Sequence, residues 1–217
     1  NFAENLLRYE GKGDAIVFWG EDKVKGRLAW DVLRADVGGV SRAFAAAGVA
    51  PGDRVAGILP NMPESIASML GAAAIGAVWS SCSPDFGTAG VLDRFGQIAP
   101  RVLLVADGYA YGGKRFDVRE RAAEVLAGLP SVEHCVLVPY LEPQPALPPR
   151  MQAWPDVLAA HGAQDGVGRT STPMVWREVN TIGEWVSVLH PGSTAARSGK
   201  SSRRFFDVMF ISAPLFV

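Results

Sequence analysis

The sequence is poor in cysteine. Its 217 residues include only two, Cys82 and Cys135, which lie far apart. No pair has the CxxC spacing of structural zinc sites, and two cysteines cannot build the disulfide framework of a small secreted protein. We therefore predict two free thiols in a reducing compartment, which makes the cytoplasm the expected location.

The sequence also lacks an excess of either charge. Lys and Arg total 21 and Asp and Glu total 22, which gives a net charge of -1. This balance creates no long-range field for nucleic acid or an anionic membrane. The longest apolar stretch, residues 66–79, is shorter than the roughly 20 residues that span a bilayer. No basic segment followed by an apolar run opens the chain. We expect neither nucleic acid nor a membrane among the partners.

Several catalytic and nucleotide-binding motifs are missing. No GxGxxG follows the first predicted strand and no GxSxG is present. The chain therefore lacks the dinucleotide-binding fingerprint and the nucleophile elbow of hydrolases. The three histidines, His134, His161 and His190, are too scattered for metal-ligand spacing. The sequence indicates no catalytic residue and no metal site.

The chain does contain a regular alternation of β-type runs and helical patterns. Apolar runs such as VLLVA at residues 102–106 alternate with segments that have apolar residues at helical spacing. This alternation predicts an α/β fold, with a doubly wound, mainly parallel sheet and helices on both faces. The last predicted helix places Asp117 and Arg121 at i,i+4 spacing, typical of a solvated charged face. The predicted strands are 15–19, 55–59, 77–81, 102–106 and 135–138, and the predicted helices are 29–47, 61–75, 88–98 and 116–129.

Short polar motifs mark the ends of these elements. Gly48 is typical of the position that ends a helix. The PGDR turn at residues 51–54 is expected to carry a salt bridge at its edge. Asn61 and Glu64 resemble a capping box, with Asn in place of Ser or Thr, which predicts a helix start.

The character of the chain changes twice. We predict an α/β domain over residues 1–140, a Pro-rich linker with a short helix over 141–167, and an irregular tail without an assigned domain over 168–217. The shift to a Ser- and Arg-rich tail motivates the hypothesis of a divergent or out-of-frame continuation of a truncated gene. An intact related protein with the same tail would contradict this. The tail segment PGSTAARSGKSS, residues 191–202, fails the Walker A spacing and is expected to be an exposed loop.

One long segment carries a family resemblance. PGDRVAGILPNMPESIASMLGAAAIGAVWSSCSPDFG, residues 51–87, resembles the adenylate-forming superfamily of acyl-CoA synthetases. Its end, WSSCSPDFG, and four further blocks in the same order resemble the acetoacetate–CoA ligase branch. Those blocks are residues 1–8, 91–100, 106–114 and 129–140.

The resemblance implies an activity and its ligands. In the family, ATP and a carboxylate give an acyl-adenylate and pyrophosphate, and coenzyme A then forms the thioester and releases AMP. The parent enzyme would use ATP, Mg²⁺ and coenzyme A, with acetoacetate or another short acid as substrate. The family's phosphate loop, rich in Ser, Thr and Gly and ending in lysine, should follow soon after residue 165, and no segment has its spacing. We therefore expect this chain alone to be an inactive fragment, with no cofactor assigned to it.

The resemblance also implies where coenzyme A enters. In the family, the segment after the third strand lines the coenzyme A entrance, and a basic residue near the glycine-rich turn after the run 102–106 contacts the nucleotide phosphates. Small residues let pantetheine approach the backbone, and hydroxyl and ammonium groups bind phosphate oxygens. The candidate residues are Trp79, Ser80, Ser81, Ser83, Tyr111 and Lys114.

These site predictions have alternatives. The two serines of the strand end it without binding a ligand, Ser83 or Asp85 caps the next helix, Trp79 belongs to the core, and Lys114 is only solvated. For the whole chain, the alternatives are a non-catalytic module that binds coenzyme A or a nucleotide, a fragment of an acetyl- or short-chain acyl-CoA synthetase, and an interaction domain without a ligand. Acyl specificity and oligomeric state stay open.

Overall fold

The structure is a computed structural model that describes residues 1–20, 25–161 and 208–211. Within these ranges no helix combines the length and the hydropathy needed to cross a bilayer. The helices are α1 Phe2–Leu7, α2 Trp30–Ala46, α3 Pro63–Ala74, α4 Thr88–Ile98, α5 Arg119–Gly128 and α6 Trp154–His161. The strands are β1 Asp14–Trp19, β2 Lys25–Ala29, β3 Arg54–Ile58, β4 Val78–Cys82, β5 Val102–Ala106, β6 Gly108–Tyr111, β7 Lys114–Asp117, β8 His134–Val138, β9 Met151–Ala153 and β10 Val208–Ile211.

Five strands form a parallel sheet in the order β4-β3-β5-β8-β9. β3 lies between β4 and β5, and its Val55 is in register with Trp79 on one side and Val102 on the other. The chain runs outwards from β3 to β4, returns to β5 and continues through β8 to β9. This is the strand order of flavodoxin-like doubly wound sheets.

Helices cover both faces of this sheet. All five residues of β5 are buried. Leu104 packs into a core with apolar residues of α2 and α3, which we call the α2–α3 face. Leu103 and Val105 pack into a second core with residues of α4 and α5, the α4–α5 face. α6, the short helix predicted in the Pro-rich segment, packs against α2. The predicted doubly wound α/β fold is confirmed.

β1 does not belong to the parallel sheet, which corrects the prediction for residues 15–19. It pairs antiparallel with β2, where Phe18 is opposite Gly26, and antiparallel with β10. Antiparallel neighbours need only a short link, such as the one between β1 and β2, whereas parallel neighbours need a long crossover. The apolar pattern missed β2 because its sequence, KGRLA, carries Lys, Gly and Arg. The tail outside β10, with the 191–202 segment, lies outside the described residues.

The last predicted helix starts later than expected, at Arg119, because a β-hairpin precedes it. β6 and β7 pair antiparallel around Gly112 and Gly113, whose φ angles are +59° and +73°. A two-residue turn of type I′ needs positive φ at both central positions, which glycine adopts at little cost. Asp117 therefore lies in β7 and pairs with Arg119. Its predicted pairing with Arg121 on one helix face is wrong.

Two predicted helix ends have opposite outcomes. Gly48 follows the C-cap of α2 with a φ of +75°, as predicted. Asn61 is not the N-cap of α3. That helix begins at Pro63, and its N-cap is the extended Met62, which makes no side-chain cap hydrogen bond. The residue before a proline is disfavoured in the helical region, which makes Met62 the last extended residue. A capping box of the predicted Asn-x-x-Glu type occurs instead at the start of α1.

The PGDR turn holds α4 to the amino end of the sheet. Asp53 Oδ2 accepts the Ala50 N–H at 2.9 Å and lies 3.6 Å from Nη1 of Arg101. Arg54 Nε donates to the Ile98 carbonyl at 2.6 Å, and its Nη2 donates to the next carbonyl at 2.9 Å. These carbonyls end α4, where a cation also offsets the helix dipole. The predicted turn with a salt bridge is confirmed.

We expect Arg54→Ala to lower the free energy of unfolding by about 1–2 kcal/mol, because it removes two charge-assisted hydrogen bonds from the end of α4. Arg27→Ala is the matched control. Its partner is the carboxylate of Asp14 at the surface, and an exposed pair of this kind contributes about 0–1 kcal/mol. Urea denaturation measures both variants, and an equal loss in the two would contradict the role given to Arg54.

α2 and α3 pack closely because small residues lie between them. A Cβ at Gly71 would come within 2.7 Å of Cγ1 of Val40. The Ser41 hydroxyl donates to the carbonyl oxygens of Val37 at 2.7 Å and Gly71 at 3.2 Å. The hydroxyl of Ser68 is fully buried and has no hydrogen-bond partner within the described residues. A buried hydroxyl without a partner destabilises the fold.

Ser68→Ala should raise the free energy of unfolding by about 1 kcal/mol, because it removes the desolvation cost of an unpartnered hydroxyl. Ser41→Ala, in the same helix interface, should lower it by about 1 kcal/mol, because the hydrogen bond that this hydroxyl shares between two carbonyl oxygens is lost. Thermal and chemical unfolding of the two variants measures whether each substitution raises or lowers the free energy of unfolding. A loss of stability in both variants would show that the Ser68 hydroxyl is hydrogen-bonded in solution.

Candidate functional site

The carboxyl ends of the parallel strands meet at one edge of the sheet. The chain direction across the sheet reverses at β3, since β4 lies on one side of it and β5 on the other. Doubly wound sheets bind ligands in the crevice outside the carboxyl ends of the strands at such a reversal. We call this surface the carboxyl edge. It is formed by residues 59–62 after β3, 83–87 after β4, 107–108 after β5 and 139–142 after β8.

The candidate residues in and after β4 do not share one face. Trp79 and Ser81 are in register with β3 residues of the α2–α3 face, whereas Ser80 is in register with a β3 residue of the α4–α5 face. Successive residues of a strand point to opposite faces. The hydroxyls of Ser80 and Ser81 therefore cannot bind one ligand group together. Ser83 follows the strand and lies at the carboxyl edge.

Trp79 packs across the neighbouring strand. A Cβ added at Gly57 would come within 2.7 Å of Cη2 of the Trp79 indole, so only glycine fits beneath the ring. The indole is half-buried and packs against the core of the α2–α3 face. This contact favours a core role for Trp79 over a role in stacking on a ligand.

Residues 83–87 are held by side chains from α4 and α5. Arg121 Nη1 donates to the carbonyl oxygens of Pro84 at 3.2 Å and Phe86 at 2.9 Å. The guanidinium carbon of Arg94 lies 4.2 Å from the centroid of the Phe86 ring, within the range of a cation–π interaction. The backbone that carries Ser83 is therefore fixed relative to α5.

α4 begins without an acidic residue in its first turn. Its N-cap is Gly87, which makes no side-chain cap hydrogen bond, so the alternative of a cap by Ser83 or Asp85 is wrong. The partial positive charge of a helix N-terminus favours an anion. Asp85, two residues before the cap, adds a negative charge nearby. This charge opposes the binding of a phosphate at this helix end.

The N-terminus of α3, at the same edge, has the opposite character. Pro63 lacks an N–H, and Glu64 places a carboxyl group in the first turn. Burial raises the pKa of Glu64, a backbone hydrogen bond partly offsets this, and the nearby carboxylate of Asp36 raises the pKa further. Burial raises the pKa of Asp36 as well. Burial disfavours the charged form of both carboxyl groups, and a phosphate nearby would disfavour it further. Glu64 and Asp36 therefore oppose phosphate binding at this helix end.

The hairpin of β6 and β7 brings two candidate residues together. Tyr111 and Lys114 are Cα partners next to the turn, and both are exposed. Below them Tyr109 and Phe116 stack, with 4.9 Å between the ring centroids. The hairpin leaves the carboxyl edge after β5, and β3 separates β5 from β4, which sets them about 10 Å apart.

Sequence reasoning missed Asp107. It follows β5 and its side chain is almost fully buried, with 2% of its surface exposed. Its carboxylate accepts four hydrogen bonds from the backbone N–H groups of residues 140–142. Aspartate is rarely buried unless it is paired. An aspartate that directly continues the apolar run VLLVA was therefore an available signal of a special role.

Among the described residues, neither a metal-binding cluster nor the cavity between α2 and α6 lies at the carboxyl edge. The described residues contain no group of three His, Cys, Asp or Glu side chains that could hold a metal ion. A cavity of about 540 Å³ lies between α2, α6 and the beginnings of β5 and β8. His134 and His161 line it together with mainly apolar side chains. It lies towards the amino ends of the strands, away from the candidate residues.

Both cysteines are buried free thiols, as predicted. Cys82 ends β4, and Cys135 lies in β8. Burial raises the pKa of Cys135 to about 12, although the positive charge of Arg150 opposes the shift. The thiolate is the nucleophilic form of cysteine. Cys135 is therefore a core residue and not a nucleophile at neutral pH.

Comparisons with known proteins agree on one family. The family described as AMP-binding enzyme matches residues 4–174. An acetoacetyl-coenzyme A synthetase of Rhizobium meliloti (strain 1021) is 56% identical over 154 residues, which are 70% of this chain and 23% of that protein. An acetoacetyl-CoA synthetase of Rattus norvegicus is 40% identical over 148 residues, which are 66% of this chain and 22% of that protein.

A solved structure shows the same likeness. The acetoacetyl-CoA synthetase from Streptomyces lividans matches with a TM-score of 0.70 and 39% sequence identity. The match covers 75% of this chain and 25% of that one. The chain therefore spans only about a quarter, 22% to 25%, of the length of these relatives.

We expect Cys135 to resist alkylation while the protein is folded. In a Cys82→Ser background, iodoacetamide at pH 8 should modify it only after unfolding in guanidinium, because burial keeps the thiol protonated. The folded pKa of about 12 lies above the ordinary value of 9.0. The protonated thiol therefore favours the folded state, and the free energy of unfolding should fall as the pH rises from 9.0 towards 12. Mass spectrometry measures the first effect.

The control for this pH dependence is Cys135→Ala in the same background. Its free energy of unfolding should lack the decrease at alkaline pH that is attributed to the Cys135 thiol. Rapid alkylation of the folded protein at pH 8, or an unchanged slope after the substitution, would contradict the burial of the thiol.

Proposed function

The chain belongs to the family of AMP-binding enzymes, and on that premise we propose that it is a segment of an ATP-dependent acetoacetate–CoA ligase. The observation that carries the proposal is the 56% identity over 154 residues with an acetoacetyl-coenzyme A synthetase. The likeness to the Streptomyces lividans structure supports it, because sequence and fold agree over most of this chain.

The proposed reaction has two steps. The carboxylate of acetoacetate attacks the α-phosphorus of ATP, which forms an acyl-adenylate and releases pyrophosphate. The thiol of coenzyme A then attacks the acyl carbon, which forms acetoacetyl-CoA and releases AMP. The first step is needed because a carboxylate oxygen is a poor leaving group, whereas AMP is a good one. We assign no catalytic residue of these steps to the segment.

We propose that the segment contributes to binding coenzyme A. Lys114 at the hairpin tip supplies an exposed positive charge, and Tyr111 beside it offers an aromatic ring. Ser83 offers a hydroxyl donor to a phosphate. Ser80 or Ser81, but not both, contributes from β4, because the two lie on opposite faces. Trp79 supports this segment by its contact with Gly57.

The described residues contain no group of three His, Cys, Asp or Glu side chains that could hold a metal ion, and we assign no magnesium ligand to this segment. We propose ATP as a substrate of the whole enzyme and derive no step through Mg²⁺ in this segment. Neither cysteine forms a disulfide. This supports a reducing compartment, which we propose to be the cytoplasm.

A second candidate is a non-catalytic module that binds coenzyme A. It is favoured by the absence, within the described residues, of a group of three side chains that could hold a metal ion. Product formation separates the two. The longer protein that contains this segment should make acetoacetyl-CoA from ATP, acetoacetate and coenzyme A if it is a ligase, and none if it is a binding module.

We expect the 217-residue chain to bind coenzyme A weakly and to bind no ATP, as measured by separate calorimetric titrations. Lys114→Gln should weaken the affinity for coenzyme A at low salt by up to about fivefold, since an exposed charge pair contributes at most about 1 kcal/mol. Lys12→Gln is the matched control. Lys12 is exposed before β1, away from the carboxyl edge, and its substitution should leave the affinity unchanged.

Equal effects of the two lysine substitutions would remove Lys114 from the site. Pyrophosphate exchange catalysed by the chain with ATP and acetoacetate would overturn its assignment as an inactive segment. No binding of either ligand would favour an interaction domain.

A further inference from the structure

Asp107 joins three parts of the carboxyl edge through its backbone and its side chain. Its N–H donates to the carbonyl oxygen of Val138, the last residue of β8, at 3.2 Å. Its own carbonyl oxygen accepts the N–H of Val118 at 3.1 Å, which closes the base of the hairpin before α5. β5, β8 and both ends of the hairpin thus meet at this one residue.

The side chain of Asp107 binds the turn after β8. Oδ1 accepts the N–H groups of Tyr140 at 2.8 Å and Leu141 at 2.9 Å. Oδ2 accepts those of Leu141 at 3.1 Å and Glu142 at 2.9 Å. Three consecutive N–H groups that converge on one carboxylate form a backbone nest for an anion. The protein's own carboxylate occupies this nest, so the nest cannot bind a phosphate of the ligand.

The turn held by Asp107 is also the support of the hairpin. A Cβ at Gly108 would come within 2.3 Å of both Cδ1 of Leu141 and the carbonyl oxygen of Phe116, so the two strands and the turn approach too closely for any side chain there. Arg115 donates to the carbonyl oxygen of Leu141. Arg119 Nη1 lies 3.4 Å from the carboxylate of Glu142. The hairpin therefore rests on the residues whose backbone Asp107 fixes.

We propose that Asp107 is a positioning residue of the coenzyme A site, which sets the orientation of the hairpin that carries Tyr111 and Lys114. This inference rests on the function proposed above. Asp107 does not touch the ligand, because it is buried and its carboxylate binds the turn. Only a carboxylate offers acceptors on both oxygens, whereas an asparagine would direct an NH₂ group at N–H donors of the turn.

The experiment compares Asp107→Asn with Arg54→Ala in the 217-residue chain. Arg54 holds α4 at the amino end of the sheet, so its loss lowers stability without touching the carboxyl edge. Amide hydrogen exchange is measured at residues 108–117 and 140–142, and the affinity for coenzyme A is measured by calorimetry. Both variants are compared at temperatures that give the same fraction of folded protein.

We expect Asp107→Asn to speed exchange at the hairpin and the turn by at least about tenfold. Local opening then no longer costs the hydrogen bonds between the Asp107 carboxylate and residues 140–142. The affinity for coenzyme A should fall about threefold or more, and Asp107→Glu should restore part of it. Arg54→Ala should change neither quantity. Equal changes in the two variants, or an unchanged hairpin in Asp107→Asn, would overturn the proposal.

Two further outcomes are distinguishable. If the unsubstituted chain binds no coenzyme A, the proposed binding site fails, and the exchange data alone decide whether Asp107 orients the hairpin. If Asp107→Asn does not fold, exchange of the unsubstituted chain in increasing urea decides. Hairpin and turn amides should then open together with one urea dependence, and separate opening would overturn the proposal.

Discussion

The structure depends on the burial of β5 on both of its faces. Its five residues, VLLVA, are all buried, and they alternate between two cores. A strand of this kind is stable only when helices cover both sides of the sheet. α2 and α3 therefore lie on one side and α4 and α5 on the other. The crossovers that place them there make the neighbouring strands parallel, and parallel strands bring their carboxyl ends to the same edge.

At that edge, polar side chains hydrogen-bond the backbone of the loops and hold them in place. Asp107 ties the turn after β8 to the end of β5. Arg121 ties the segment after β4 to α5. The groups left for the proposed ligand are the exposed Lys114 and Tyr111 on the hairpin and the half-buried Ser83 before α4. The coenzyme A site that we propose draws on these remaining groups.

Most of the parallel sheet could be predicted from the sequence, and the errors share a cause. β3, β4, β5 and β8 were predicted within about a residue, because β3, β5 and β8 are mainly apolar runs between turn signals and β4 begins with apolar residues. β2 and the hairpin were missed because KGRLA and KRFD are polar strands that are held by their partners and not by an apolar face. The prediction of Asn61 as the N-cap was wrong because Pro63 keeps Met62 extended, so that α3 begins at Pro63.

The sequence by itself determined the α/β class and the buried strands, because these follow from local periodicity. It also indicated the family, because blocks such as residues 51–87 resemble its members. Only the tertiary structure decided that β1 leaves the parallel sheet, that Ser80 and Ser81 lie on opposite faces, and that Asp107 holds the turn after β8. These features are contacts between residues distant in sequence, whose pairing depends on strand order and register. A local pattern carries no information about either.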